Sequence, residues 1–289
     1  MITNLKIGLV LINYYSEHAI EEYFNKNSIV DMCDEIVIIN NGSDYEDKIN
    51  EFTQMSDRIH IINTGSNLGY AKANNLGMKY LVDKKVGYIL VSNNDVKIER
   101  LSVEKSIDVL KKRNDLGAVA PRMRKDNGEL APLRYIELGY KRLFLRILIP
   151  ETIIDKMSQS KLISQDNVVL QSFLPGSFFA ITAEAAVACN FFEEDTFLYG
   201  EEEILNKRLM RCGYMQGVVL DCDYQHLHIY RHESAKKRYQ DCKILMDSER
   251  LYFKKYLLAN NLQMLLVNIL QRLYVGVRYL SWIKDERSR

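Results

Sequence analysis

Short runs of β-branched and aliphatic residues at 6–13, 35–40, 58–62, 87–92 and 117–120 alternate with longer stretches whose apolar positions recur every three or four residues. The short runs predict strands. The longer stretches, at about 17–26, 45–55, 70–83 and 99–113, predict amphipathic helices that each open on polar residues. Such alternation gives a mostly parallel sheet with crossover helices on its faces, a doubly wound α/β fold. From 122 to 170 the periodicity weakens around the basic and apolar run Lys141 to Pro150, which reads as an insertion lying over a site. Beyond it the pattern predicts a strand at Phe178 to Thr182, a helix at about 200–212, a strand near 215–220 and two amphipathic helices between about 235 and 283.

In doubly wound sheets ligands sit outside the carboxyl ends of the strands. The residues at those ends are small and polar throughout: Asn13-Tyr14, Asn40-Asn41-Gly42-Ser43, Asn63 to Gly69, and Asn93-Asn94-Asp95. Turn chemistry alone accounts for any one of these groups. Their recurrence after four successive strands points to a site.

Composition narrows the classes. With 39 Lys+Arg against 38 Asp+Glu the formal charge is +1, so no global field favours nucleic acid as a partner. Five scattered cysteines without a Cys-x-x-Cys pair read as reduced thiols of a cytoplasmic protein, not a zinc site. The apolar run Ile7 to Ile12 is too short for a signal segment or a bilayer span. No Gly-x-Gly-x-x-Gly and no glycine-rich basic loop follows the first strand, which disfavours a dinucleotide dehydrogenase and a nucleotidyltransferase.

The stretch Asn67-Leu68-Gly69-Tyr70-Ala71-Lys72-Ala73-Asn74-Asn75-Leu76-Gly77 opens a predicted helix with a glycine, where a ligand or another strand can approach the backbone closely. It resembles the Asn-x-Gly-(aromatic)-Ala-x-Ala-x-Asn-x-Gly signature of the inverting glycosyltransferases of family 2, whose fold is the GT-A nucleotide-sugar-binding domain. Ile36 to Ser43 is similar to that family's strand ending in Val-Asp-Asn-Gly-Ser, with Asn40 where the acidic residue meets the donor's base. An amide oxygen still accepts from a pyrimidine N3–H, though without charge. Tyr88 to Val96 resembles the strand followed by Asp-x-Asp or Asn-x-Asp. Phe191 to Leu209, preceded by Pro175-Gly176-Ser177, is similar to Phe-Asp-Glu-x-Phe-Phe-x-Tyr-x-Glu-Asp-x-x-Leu-x-x-Arg. The likeness runs in order from residue 6 to about 234 and is of the rhamnosyl- and galactosyltransferase-like type that builds bacterial surface polysaccharides.

The resemblance implies a nucleotide sugar, carrying uridine or deoxythymidine, near Asn13, Asn40, Asn67, Gly69, Asn74, Asn93 and Asn94. Its diphosphate gathers negative charge on leaving, which a hard cation, Mn²⁺ or Mg²⁺, would neutralise. Asp95 is the one carboxylate of its loop and the expected ligand. Three of the five histidines fall between 226 and 232, and His226 or His228 is the expected second ligand; imidazole favours Mn²⁺. Glu202 stands where the family has its general base, as Glu in place of the usual Asp, and Glu201 remains its rival. Acidic residues also suit a helix's first turn for its dipole alone, which leaves the aromatic residues around them unexplained.

The expected organisation is a GT-A domain over 1–234, its donor half about 1–120 and its acceptor half about 121–234, with a C-terminal helical extension over 235–289. The expected acceptor is a bacterial-type surface glycan or a lipid-linked oligosaccharide, at the inner face of the cell membrane. The C-terminal helices would pack, form a homodimer or touch a membrane surface. Asn at positions 40 and 93, where acidic residues are usual, keeps open the alternative of a catalytically silent nucleotide-sugar-binding protein.

Overall fold

The computed structural model describes residues 5–44, 46–133, 138–149, 153–154, 164–227 and 234–287. One mixed sheet organises the chain. Its parallel half comprises β1 (Ile7–Asn13), β2 (Glu35–Asn40), β3 (Ile59–Asn63) and β4 (Tyr88–Ser92), in the spatial order β3-β2-β1-β4. These strands read as nearly unbroken apolar runs because both of their faces are covered. Side chains alternate between two cores: Leu9, Leu11, Ile36 and Ile38 lie on one face with Ile20 and Tyr23 of α1 (Glu17–Lys26). Val10, Val37 and Ile39 lie on the other with Ala71, Met78 and Leu81 of α3 (Tyr70–Asp83).

The sheet continues through β9 (Phe178–Thr182), antiparallel to β4, then β6 (Leu116–Arg124) and β10 (Met215–His226), which run parallel to each other. Three short strands complete it: β5 (Val96–Ile98) pairs with the end of β10, while β7 (Ser164–Gln165) and β8 (Val168–Leu170) extend the far edge. Predicted helix 45–55 divides into α2 (Glu46–Asn50) and a 3₁₀ turn, and α4 (Arg100–Lys112) covers the sheet as expected. Helices α6 (Ala183–Ala188) and α7 (Glu201–Arg211) join α3 on the second face.

The final helices, α8 (Ala235–Leu251) and α9 (Asn261–Arg287), meet α5 (Tyr140–Leu148) in a third core built on Leu143, Ile204, Tyr252, Phe253, Val267 and Leu270. The basic run of the predicted insertion supplies none of the lining residues of the cleft described below. Its two arginines turn inward while Lys141 stays exposed. Arg146, 4% exposed, forms a bidentate pair with Glu249 of α8, whose second oxygen also accepts from Gln271 of α9 at 2.8 Å. Arg142 pairs with Glu203 of α7. α5 is thus a brace between the C-terminal helices and the helix that bears the acidic cluster. Among the described residues no helix is long and apolar enough to cross a membrane.

Candidate active site

After β3 the chain crosses back to place β4 on the other side of β1, so the carboxyl ends of β1 and β4 part and leave a crevice at the switch point. A cleft of about 440 Å³ opens there. Ile12, Tyr14 and Ser16 line it from the end of β1, Asn93, Asn94 and Asp95 from the end of β4, and Phe197 and Leu198 from the loop before α7. Its remaining wall is Asn41, Asn67, Gly69 and Tyr70. Asn67 accepts from the Gly69 amide at 2.9 Å and from the Asn41 side chain at 3.1 Å, while Asn41 accepts from the Leu68 amide at 2.9 Å. The loop is held by its own amides, which fixes the wall before any ligand arrives.

Gly69 shows why this turn needs glycine. Its φ is +81°, and a Cβ there would stand 2.3 Å from the carbonyl oxygen of Phe197, which accepts the Tyr70 amide at 2.8 Å. Gly69→Ala is expected to cost about 1–3 kcal/mol, from left-handed strain and the backbone clash together. A thermal melt checks this: Tm should fall by several degrees, and an unchanged Tm would show that the 197 loop yields freely.

Asn67, Gly69, Asn93, Asn94 and Asp95 thus line the cleft, whereas Asn13, Asn40 and Asn74 do not. Asn13 is fully buried and donates to Glu17 and to Asn40, at 3.0 Å each. Asn40, 1% exposed, accepts that bond and donates to the Ser43 carbonyl at 3.2 Å and to Asn63 at 2.9 Å. With oxygen and nitrogen both engaged, its amide tethers three strand ends from behind the cleft. Asn74 lies buried one turn into α3, its amide nitrogen on the Tyr70 carbonyl at 3.1 Å. Sequence reasoning missed Glu17, whose carboxylate takes the Ser43 hydroxyl at 2.5 Å. Its signal was an acid four residues past a strand-ending Asn.

The sheet itself brings Asp95 to His226. β5 begins one residue after Asp95 and pairs antiparallel with β10, setting Val96 opposite His226, while the Leu227 amide donates to the Asp95 carbonyl at 2.8 Å. The side chains meet with Asp95 Oδ1 and His226 Nε2 3.2 Å apart. Donors on adjacent octahedral positions of a cation held at about 2.1 Å lie about 3 Å apart, so this pair has the spacing of two ligands to one ion. Among the described residues no cluster of three such side chains exists. Two protein donors suit a cation that takes its other ligands from phosphate and water. His228 lies outside the described residues.

The Gly176-Ser177 segment links this pair to the acidic cluster. It precedes β9 and so reaches the carboxyl end of β4, where the Ser177 carbonyl accepts the Asn93 amide at 2.8 Å and the Ser177 hydroxyl bonds Tyr224 at 2.7 Å. On its other side lies Glu202: a Cβ at Gly176 would come within 2.6 Å of Glu202 Oε1 and 3.2 Å of the Tyr70 hydroxyl, which donates to the Gly176 carbonyl. Any larger residue at 176 would displace the carboxylate. Tyr70 and Gly176 belong to motifs visible in the sequence, but only the fold shows that they form the floor between the two groups.

α7 starts from two left-handed residues, Tyr199 at φ 69° and Gly200 at φ 83°, and carries Glu201, Glu202 and Glu203 in its first turn. Their environments differ. Glu201 is 3% exposed, its Oε2 has no hydrogen-bond partner among the described residues, and burial with the neighbouring Glu202 charge pushes its carboxyl far above the usual range. Glu202 is half-buried, its carboxylate lying against Gly176. Desolvation raises it to about 7, while backbone amides, including those of Gly176 and Gly200, pull against the rise. Burial thus favours the protonated form of both carboxyls beyond that of an exposed glutamate.

Known proteins resemble this chain in sequence and in fold. Residues 10–168, more than half of the chain, match Glycosyl transferase family 2. The low-salt glycan biosynthesis hexosyltransferase Agl10 of Haloferax volcanii is 28% identical over 123 residues, covering 42% of this chain and 38% of Agl10. The match thus spans well under half of that relative's length. Among solved structures, GalNAc-T7 with UDP, GalNAc and Mn²⁺ superposes with a TM-score of 0.59 at 12% identity, over 88% of this chain and 50% of that one. The mannosyltransferase PcManGT of Pyrobaculum calidifontis, with GDP-Man and Mn²⁺, gives 0.57 at 12% identity, over 95% and 71%. TarS of S. aureus gives 0.52 at 14% identity, over 86% and 40%. These likenesses establish the GT-A fold, and the family match establishes the rest: the chain belongs to glycosyl transferase family 2.

Proposed function

We propose that this glycosyltransferase moves a sugar from a nucleoside diphosphate sugar to an acceptor hydroxyl in one inverting displacement. Support for the reading comes from the Gly176-Ser177 segment, which bonds the Asp95 loop through the Asn93 amide and lies against the Glu202 carboxylate. In-line displacement needs the leaving group on one side of the sugar carbon and the base on the other. Asp95 and His226 would hold a divalent cation, Mn²⁺ by the imidazole's preference, which supplies countercharge to the departing diphosphate.

The chain's own groups do the rest. Asn93 and Asn94 border the cleft beside Asp95, where ribose and phosphate oxygens need donors. Exposed Tyr14 and Phe197 offer flat faces to a base or a sugar ring. Glu202 takes the acceptor's proton, because a sugar hydroxyl is a poor nucleophile until its proton is being removed. Glu201 stays protonated beside it and adds no competing charge. The name of Agl10 supports a hexose as the group transferred and a glycan as its destination.

A panel of UDP-, dTDP- and GDP-sugars, with Mn²⁺ present, tests the reading by thermal stabilisation. A ligand at 100 times its Kd adds about 2.7 kcal/mol, which is several degrees in Tm. One sugar nucleotide is expected to give that shift, and the product formed from it should carry the opposite anomeric configuration by NMR. No shift with any of them would end the proposal; a shift without turnover would leave a binding protein.

A further inference from the structure

α9 is apolar on two opposite sides. One side, with Val267 and Leu270, is buried in the third core. The other carries Leu262, Leu266, Ile269, Leu273, Gly276 and Leu280, at successive spacings of four and three residues. That spacing is the seam of a helix packed against a helix. Leu262 is 75% exposed, Leu280 71%, and the three large residues between them about half exposed, with Leu265 and Val277 widening the strip. No position of the seam is charged, whereas a helix face meeting water carries charge.

Gly276 identifies the occupant. Glycine within a helix costs stability, and a Cβ at 276 would meet nothing within 4 Å among the described residues beyond its own helix turn, so the described fold has no use for the missing side chain. Its smallness serves a backbone arriving from outside. A lipid surface gains nothing from a missing side chain, but a second helix comes closer through it. The exposed strip amounts to several hundred Å² per copy, at the upper end of what monomers leave uncovered. Doubled across a twofold axis it approaches the range of about 1,200–2,000 Å² for a specific interface. The geometry points to a second copy of this chain, docked isologously through α9 with the two helices crossing at Gly276. The inference rests on the helix alone and stands apart from the transfer reaction.

Sedimentation equilibrium on the full chain, with Gly276→Leu as the variant, tests it. The wild type is expected to be dimeric at micromolar concentration, and Gly276→Leu to raise the dissociation constant at least about tenfold. Far-UV circular dichroism should show no loss of helix, since leucine is the better helix former. Leu266→Lys with Leu273→Lys should be monomeric and folded. Flotation with vesicles of anionic phospholipid separates the alternative, because Gly276→Leu enlarges the apolar face and would strengthen membrane attachment. A monomeric wild type, a dimer that Gly276→Leu leaves intact, or a monomer that floats with vesicles would each overturn the proposal.

Discussion

Glu202→Gln is expected to lower turnover at least about 10²-fold while donor affinity stays within a few-fold. The amide keeps the size of the carboxylate and can still lie against Gly176, so what is lost is the capacity to accept a proton. The pH profile gives the sign. A base works only when ionised, and burial has raised Glu202 to about 7, so wild-type turnover should fall as pH drops through 7. In Glu202→Gln that limb should disappear from the residual rate. Stability moves the other way. From the ordinary 4.5 up to about 7, the native protein keeps a proton that the unfolded chain has released, so this group's contribution declines as pH rises through that window. The glutamine variant escapes that decline and should melt no lower than wild type at pH 8, which separates lost chemistry from lost fold. Glu201→Gln is the control: a carboxyl already protonated at neutral pH is mimicked by an amide, and turnover should change less than about tenfold. A reversal of the two effects would move the base to Glu201.

How much of this was legible depends on the range of the interaction. β2 at Glu35–Asn40, α1 at Glu17–Lys26 and α3 at Tyr70–Asp83 sit where the apolar periodicity puts them, since burial on one face or two is written locally. β10 is different. Its predicted end near 220 misses six residues, because Tyr224 to His226 are held as a strand by β5, and three residues between a turn and a helix carry no signal of their own. That ladder is also what turns Asp95 and His226, 131 positions apart, into neighbours. The contacts of the basic run around Arg142 and Arg146 were not legible either: nothing local shows that each arginine faces a glutamate from a distant helix. Asn40 was legible as a motif position but not in its contacts, since nothing local shows that Asn13 and Asn63 converge on it.

Chelation is expected to remove transfer, with Mn²⁺ restoring more of it than Mg²⁺, and Asp95→Asn to lower turnover by about 10³-fold or more at saturating Mn²⁺. The side chain can be changed without disturbing the strand it introduces, because the tie to β10 runs through the Asp95 backbone carbonyl and the Leu227 amide. Folding should therefore survive, with the loss showing both in turnover at saturating metal and in weaker metal binding. Mn²⁺ titrated with UDP present and followed by electron paramagnetic resonance would show it: the bound fraction should drop sharply for Asp95→Asn. His226→Gln poses the sharper question. An amide oxygen is a harder donor than an imidazole nitrogen, so this variant should lose activity with Mn²⁺ yet narrow the gap between Mn²⁺ and Mg²⁺. A histidine that merely pairs with Asp95 would give a uniform loss with both ions. Full activity in excess chelator would instead leave the Asp95–His226 contact as an ordinary ion pair and return the diphosphate's countercharge to groups outside this pair.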